Sequence, residues 1–278
     1  MERSKDKFKV GLIQMTSSHV MDDNIRVADE LIRQAASQGA EFILTPEMTT
    51  LLDFESKQVL KKITIERDTS WRHFSSLAKE LGVWLLIGSI AIKVGKKATN
   101  KSFLFSPEGK KIATYDKIHM FDVNLPGEDA YKESSVYVAG TEAVVASLPW
   151  GKVGLSICYD LRFPYLYRAL SHAGAVMLTV PAAFTEQTGT AHWHALLRAR
   201  AIENGAFVFA PAQCGKHTNG RRTYGHSLIV DPWGKIIGDG GNEIGVTVTE
   251  VNMEQVVRAR NSIGSLTHDK NIVIQTVS

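Results

Sequence analysis

Hydrophobic positions along the chain switch between two spacings. Lys9–Met15 is a near-continuous apolar run, which predicts a buried strand. In Asp22–Ser37, Val27, Leu31, Ile32 and Ala35 recur at three- and four-residue intervals, predicting a helix with Gly39 at its C-terminal cap. Phe42–Leu44 reads as a short strand stopped by Thr45-Pro46-Glu47. Trp71, Phe74, Leu77, Ala78 and Leu81 restore the helical spacing over Trp71–Leu81, and Val83–Ala91 returns to strand. Ser102–Phe105 and Lys111–Tyr115 flank the hairpin signal Pro107-Glu108-Gly109.

The second half repeats this order. Val153–Cys158 predicts a strand, Pro164–His172 a helix with proline in its first turn, and Val176–Pro181 a strand. His192–Asn204 predicts a helix capped by Gly205, and Phe207–Ala212 a further strand. His226–Val230 and Lys235–Ile237 flank the turn Asp231–Gly234, and Val246–Val251 closes the series. Each half therefore reads β-α-β-α-β followed by a hairpin, with no residue-level repeat between them. Alternating strands and helices predict an α/β fold with helices covering sheets. No linker-like stretch separates the halves, so residues 1–278 are expected to form a single domain, with a core over about 8–257 and a tail over 258–278.

Composition narrows the function classes. The chain has 278 residues, 44% of them hydrophobic and 22% charged, which suits a globular protein and excludes a disordered one. A formal charge of +3 is too mild to argue for a nucleic-acid partner, and no basic run supports one. Val83–Ile92 and Ala173–Phe184, the longest apolar stretches, fall short of the ~20 residues a membrane span requires, so no membrane partner is expected. The two cysteines, Cys158 and Cys214, lack both metal-ligand and disulfide-framework spacing. With a charged start and no signal-peptide core, this predicts a cytoplasmic protein.

Reactive groups in open α/β sheets collect on the turns after strands. Glu47 and Lys117 each follow a predicted strand, and Cys158 ends one just before a helix. Taken singly, each has an ordinary alternative: a solvated turn carboxylate, a surface charge and a small core hydrophobe. Cys158 stands out, because a strand-to-helix turn exposes free backbone N–H groups. An unperturbed thiol, with a pKa of about 8.5, is only a few per cent thiolate at neutral pH. A lysine and turn dipoles nearby would favour the thiolate and a carboxylate would oppose it; the expectation is that the lysine offsets the carboxylate and Cys158 outpaces Cys214 in reactivity.

Three segments together resemble the catalytic motifs of the nitrilase superfamily, or carbon–nitrogen hydrolases. They are Leu44-Thr45-Pro46-Glu47-Met48, Tyr115–Asp122 around Lys117, and Leu155–Pro164 around Cys158. Lys117 stands 70 residues after Glu47, and Cys158 41 after Lys117, similar to the family's spacings. The resemblance runs from about Phe8 to Val257 and implies a four-layer α-β-β-α sandwich. It implies Cys158 as nucleophile, Glu47 as general base, Lys117 as the cation that stabilises the tetrahedral intermediate, and Glu133 as a second glutamate added to the triad. In that scheme Glu47 accepts the thiol proton, Cys158 attacks an amide carbonyl, and Lys117 and the Tyr159 backbone N–H meet the oxyanion. No cofactor and no metal are implied. His192 and His194 point to different sides of a helix, His119 is expected to support the lysine segment, and His226 to pack beneath the site.

Ala212–His217 around Cys214, with Thr188–Trp193 and Leu196–Ile202, resembles the Nit-type branch and, within it, deaminated glutathione amidases. This implies a small carboxylated linear amide as substrate. ω-Amidases acting on α-ketoglutaramate and N-carbamoyl amidohydrolases are the enzyme alternatives, and a catalytically silent scaffold member the non-enzyme one. Arg162, Arg198, Arg200, Arg221 and Arg222 are candidates to pair a substrate carboxylate, with Arg221 and Arg222 favoured because the segment Gly215–Arg222 reads as a loop. The family commonly dimerises through helices flanking the nucleophile, so a homodimer or larger homo-oligomer is expected, with Tyr165 and Tyr167 on the exposed face of Pro164–His172. The segment Arg258–Lys270 departs from the branch, lacking the proline and paired arginines that its pattern implies.

Overall fold

A computed structural model describes residues 6–53, 56–65, 70–126, 131–218 and 220–277. The first half contributes β1 (Lys7–Gln14), α1 (Met21–Ser37), β2 (Phe42–Leu44), α2 (Ser56–Ile65), α3 (Ser70–Leu81), β3 (Trp84–Val94), β4 (Lys97–Phe105) and β5 (Lys111–Asp116). A two-stranded ribbon comes next, β6 (Asp122–Val123) with β7 (Tyr131–Lys132). The second half contributes β8 (Val145–Leu148), β9 (Gly151–Leu155), α4 (Pro164–His172), β10 (Ala175–Thr179), α5 (Glu186–Asn204) and β11 (Phe207–Ala210). It continues through the hairpin β12 (Cys214–Lys216) and β13 (Arg222–Tyr224) to β14 (Leu228–Val230) and β15 (Ile236–Asp239). Strand β16 (Gly245–Asn252) and helix α6 (Glu254–Ser262) complete the set.

Two six-stranded sheets result, ordered β16-β1-β2-β3-β4-β5 and β15-β14-β11-β10-β9-β8. In each, three parallel strands are joined through helices, and antiparallel strands flank them on both sides. The sheets face each other: Val10, Leu12, Phe42 and Leu44 share one buried cluster with Val153, Leu155, Met177 and Phe209. Phe42 meets Phe209 edge-on, with ring centroids 6.2 Å apart. Helices α1 and α3 cover the outer face of the first sheet through Ala28, Leu31, Ile32, Phe74 and Leu77. Helices α4 and α5 cover the second through Leu166, Leu170, Trp193 and Leu197. The protein is an α-β-β-α sandwich, as the element order and the resemblance imply. At about 1.5–3 kcal/mol for each fully buried large aliphatic or aromatic side chain, these interfaces supply the main stabilisation.

The differences from the pattern-based expectation have local causes. Strand β9 stops at Leu155, three residues early, because the chain turns into a 3-10 segment at Cys158–Arg162, with Cys158 itself at φ 48°. Helix α5 begins at Glu186, where Thr185 caps it by accepting the Thr188 N–H; Gly189 within this turn hides the start from the apolar pattern. That glycine admits the Tyr224 ring, which a Cβ would meet at 2.3 Å. Strand β14 starts at Leu228 because His226 lies at φ 51°. Arg222 belongs to strand β13 rather than to a loop. Helices α2 and α6 and the edge strand β8 are short elements that the pattern-based reading does not assign. Helix α6 nonetheless buries Val256 and Ala259, and Arg260 donates to the carbonyls of Ala175, Asn204 and Gly205. Tyr167 is wholly buried, its hydroxyl 2.6 Å from Ser156 Oγ, and only Tyr165 of the two helix tyrosines is exposed.

Candidate active site

Glu47 owes its position to an unusually tight turn at the end of β2. Thr45 and Thr49 join their hydroxyls at 2.7 Å, Thr49 Oγ1 donates to the Pro46 carbonyl, and the Met48 N–H donates to Ser89 Oγ at 2.8 Å. Met48 sits at φ 56°. Strand β3 passes so close that a Cβ on Gly88 would lie 2.1 Å from the Thr45 carbonyl oxygen, so no other residue fits there. The Glu47 carboxylate, 4% exposed, accepts hydrogen bonds from Lys117 Nζ (2.9 Å) and Asn100 Nδ2 (2.8 Å) at Oε1, and from the Ala183 N–H (2.9 Å) at Oε2.

Lys117 is the residue directly after β5. Its N–H donates to the Asn100 carbonyl and its own carbonyl accepts the Gly140 N–H, which fixes the backbone on both sides. The ammonium, 2% exposed, reaches both oxygens of Glu133 at 3.0 and 2.9 Å as well as Glu47. Glu133 opens a 3-10 turn after β7 and also accepts the Phe121 N–H at 2.7 Å and Asn100 Nδ2 at 3.2 Å. One buried cation thus bridges two carboxylates, an arrangement whose loss on one side would strand a buried charge.

The Cys158 turn is clamped from several directions. Its N–H donates to the Pro181 carbonyl at 2.9 Å, at the end of β10. Asp160, completely buried, accepts the Ile157 N–H, the Tyr115 hydroxyl, the His119 N–H and the His119 ring at Nδ1. This ties the nucleophile-like turn to the segment carrying Lys117. Arg200 reaches from α5 to the Leu161 carbonyl through Nε (3.0 Å) and Nη2 (2.6 Å).

The electrostatics corrects one expectation. Burial pushes the Cys158 thiol well above the usual thiol range, and the Glu47 carboxylate adds to this by its charge and by accepting the thiol hydrogen bond; Lys117 only partly opposes them. The resting sulfur therefore keeps its proton. Burial alone would lower Lys117, but Glu133 and Glu47 outweigh it and hold the ammonium protonated well above the usual lysine range. Burial raises Glu133, against the pull of Lys117. The arrangement fits a carboxylate that takes the thiol proton during attack, rather than a standing thiolate.

Glu47, Lys117, Glu133, Cys158 and Tyr159 all line one cavity of about 240 Å³. Arg221 and Arg222 line it too; Arg221 lies over the Tyr131 ring at 4.1 Å, while Arg222 pairs with Glu186 at 2.8 Å. Arg162 is not among the lining residues. Its guanidinium stacks on Tyr159 and Phe184 and approaches His192 Nδ1 at 3.3 Å, so its part is to brace Tyr159. Arg198 donates to the Gly234 carbonyl and is structural, as is Arg200. Cys214 lies outside the lining, buried, with its sulfur 3.6 Å from Thr16 Oγ1. The residues that sequence reasoning misses are Asn100, Asp160 and the Ala183 N–H. Asn100 leaves a faint signal, a polar break (Thr99-Asn100-Lys101) ahead of an apolar strand end; a backbone N–H leaves none.

Comparison with known proteins gives the family. The family profile described as Carbon-nitrogen hydrolase matches residues 9–261. The chain belongs to the carbon–nitrogen hydrolase family. It is a hydrolase of carbon–nitrogen bonds in amides. A relative named deaminated glutathione amidase, from Synechocystis sp. (strain PCC 6803 / GT-S), is 42% identical over 261 residues, covering 92% of this chain and 96% of the relative. The solved structure of the C. elegans NitFhit protein superposes with a TM-score of 0.90 at 32% identity, covering 95% of this chain; the chain spans 65% of that longer protein. A variant amidase from Nesterenkonia sp. AN1, with a TM-score of 0.78, 25% identity and coverage of 92% of this chain and 94% of its own, shows covalent addition of the acetamide moiety of fluoroacetamide at its active site cysteine.

Proposed function

We propose that this hydrolase uses Cys158 as nucleophile, Glu47 as general base and then acid, Lys117 as oxyanion stabiliser and Glu133 as the group that orients the lysine, within a single domain. The observation that carries the reading is the continuous hydrogen-bonded set Glu47–Lys117–Glu133, which lines the same cavity as the Cys158 thiol. Glu47 accepts the Sγ proton as sulfur attacks the amide carbonyl. The oxyanion develops toward Lys117 Nζ and the Tyr159 N–H, where preorganised donors act without solvent reorganisation. Glu47 returns the proton to the leaving nitrogen, the C–N bond breaks, and a thioester remains on Cys158. Water, deprotonated by Glu47, then releases the acid and restores the thiol.

The proposed substrate is deaminated glutathione, cleaved to 2-oxoglutarate and cysteinylglycine. The relative's name supports it, and so does the place of Arg221 and Arg222 among the residues that line the cavity. Trapping by rapid acid quench and mass spectrometry should show a 2-oxoglutaryl adduct on Cys158 and none in Cys158→Ala. An adduct elsewhere, or wild-type turnover by Cys158→Ala, refutes the assignment. Turnover of deaminated glutathione should exceed that of α-ketoglutaramate and of N-carbamoyl amino acids; the opposite ranking would transfer the protein to an ω-amidase or carbamoyl-amide activity. No turnover of any of these would favour a scaffold.

The same reading includes a homodimer or larger homo-oligomer, supported by the exposed Tyr165 on α4 and by Ile272, Val273 and Ile274, each more than four-fifths exposed. Light scattering at micromolar concentration checks it, and a monomer mass overturns it. The cytoplasmic placement rests on two cysteines that form no disulfide and is checked by fractionation of cells that produce the protein. Among the described residues no helix is long and apolar enough to cross a membrane.

A further inference from the structure

Outside the cavity, three side chains with metal-ligand chemistry converge on one surface seam. His194 projects from the middle of α5, His226 precedes β14, and Asp239 ends β15. Their ligand atoms all lie within 4.8 Å of one another. His226 Nδ1 is 2.9 and 3.1 Å from the two Asp239 oxygens, and His194 Nε2 is 3.8 Å from Oδ2. Atoms bound to one zinc-sized ion at about 2.0–2.2 Å stand roughly 3–3.6 Å apart, so small side-chain rotations suffice.

We propose that His194, His226 and Asp239 form a surface site for a divalent cation of the Zn²⁺ class, distinct from the hydrolytic centre. Two imidazoles and one carboxylate match the donor preference of Zn²⁺ over Mg²⁺ or Ca²⁺, which favour all-oxygen sets. The surroundings orient the ligands as outer-shell partners of metal sites do. Tyr224 Oη lies 3.5 Å from His194 Nδ1, on the side of the ring away from Asp239, so that Nε2 faces the carboxylate. The Tyr224 ring stacks on His226 at 4.7 Å and meets His194 edge-on at 5.8 Å. The Gly241 N–H donates to Asp239 Oδ1. His226 is held by its backbone as well, because its carbonyl accepts the buried Trp193 indole N–H at 2.8 Å. The half-exposed site leaves its remaining positions to water. An ion bound at His226 Nδ1 takes the neutral ring in the tautomer that carries its proton on Nε2. The site would clamp α5 to β14 and β15. These ligands are far apart in the chain, and no spacing motif announces them.

The test uses the full chain carrying Cys158→Ala, so that the active-site thiol cannot ligate the metal. Titration with ZnCl₂ by calorimetry should give one equivalent of saturable binding, together with a rise in thermal midpoint. His194→Ala or Asp239→Asn should each weaken binding at least tenfold and abolish the rise, with an unchanged circular dichroism spectrum. His226→Asn, a residue type that tolerates positive φ, should behave the same way. His172→Gln, which alters a separate surface pair with Asp269, should leave binding intact. Absence of a one-equivalent site, binding unchanged by His194→Ala and Asp239→Asn, or binding lost in His172→Gln would each overturn the proposal.

Discussion

Strands β2 and β10 hold equivalent places in their sheets, each paired in parallel on both sides, with Leu44 and Thr179 as the last registered residues. The chain then continues as Thr45-Pro46-Glu47 in one half and as Val180-Pro181-Ala182 in the other. Both third residues are buried, but only one is ionisable. The first half places a carboxylate there and surrounds it with donors. The second half places a methyl group there and contributes backbone instead: the Pro181 carbonyl accepts the Cys158 N–H, and the Ala183 N–H donates to Glu47. Equivalent strand ends thus serve differently, one for side-chain chemistry and one for positioning, and only the first bends through a positive φ, at Met48. Duplicated architecture does not require duplicated chemistry, because a buried charge survives only where its partners are assembled.

The largest effect should come from the chemical half. Glu47→Gln keeps the shape of the carboxylate but cannot take the thiol proton, and kcat/KM should fall by about 10³ to 10⁴. Its circular dichroism should match the parent. Retention of more than a tenth of the activity would show that another group acts as base.

The next effect falls on stability and comes from forcing the comparison the other way. Ala182→Glu would install a carboxylate at the equivalent position of the second half, where the site is completely buried. Neither Lys117 nor Asn100 is spare to receive it, since both already serve Glu47 and Glu133. A cost of about 3–5 kcal/mol in urea unfolding is expected, as for a buried charge left without its partner. A loss below ~1 kcal/mol would mean that the second turn tolerates charge, and the asymmetry would need another origin.

Much of this architecture is legible in the sequence, for reasons tied to particular residues. The strands and helices with strong periodicity, such as Phe42–Leu44 and Trp71–Leu81, appear within one or two residues of their expected bounds. Glu47, Lys117 and Cys158 are legible because each follows a strand within a recognisable motif, and the fold brings all three to one cavity. Arg162 departs from its expected role because a motif position says nothing about which way a guanidinium turns; here aromatic faces claim it. The thiol's resting state differs from expectation because spacing conveys neither burial nor which neighbour dominates; at Cys158 desolvation exceeds the pull of Lys117. Asn100 and the His194–His226–Asp239 seam depend on contacts across distant segments, and periodicity does not encode those.

Asn100 offers a sharper and smaller test. Its amide donates to both Glu47 and Glu133, so Asn100→Ala removes a donor shared by the two carboxylates without touching the proton they handle. A loss of a buried hydrogen bond to charged groups is worth about 1.5–3 kcal/mol. The expected outcome is a kcat lowered about tenfold or more with a smaller change in KM, and a shift in the pH profile of kcat/KM. An unchanged profile would assign Asn100 to structure alone.

The smallest effect concerns the Cys158 thiol and is read as the pH dependence of stability. In the folded protein its pKa lies well above the ordinary thiol range, first because of burial and then because of Glu47. Well below the unfolded thiol pKa of about 8.5 the thiol is protonated in both folded and unfolded chains, so the stabilising contribution is fully present there. Above it, the unfolded chain releases the proton while the folded chain retains it, and stability falls as pH rises toward the folded pKa. The slope reaches about 1.4 kcal/mol per pH unit for one such group. Cys214, also raised by burial, adds a slope of the same sign. Buried Tyr115, Tyr137 and Tyr167, also raised, add slopes of the same sign in both proteins, and Lys117 stays charged until the unfolded lysine begins to titrate, so the Cys158 contribution is read as the difference between wild type and Cys158→Ala from pH 9 to 10. Urea unfolding in reductant should show that the wild type loses more stability over this window than Cys158→Ala, by up to about 1 kcal/mol. Parallel slopes for the two proteins would place the resting Cys158 proton elsewhere and remove the need for Glu47 to collect it during attack.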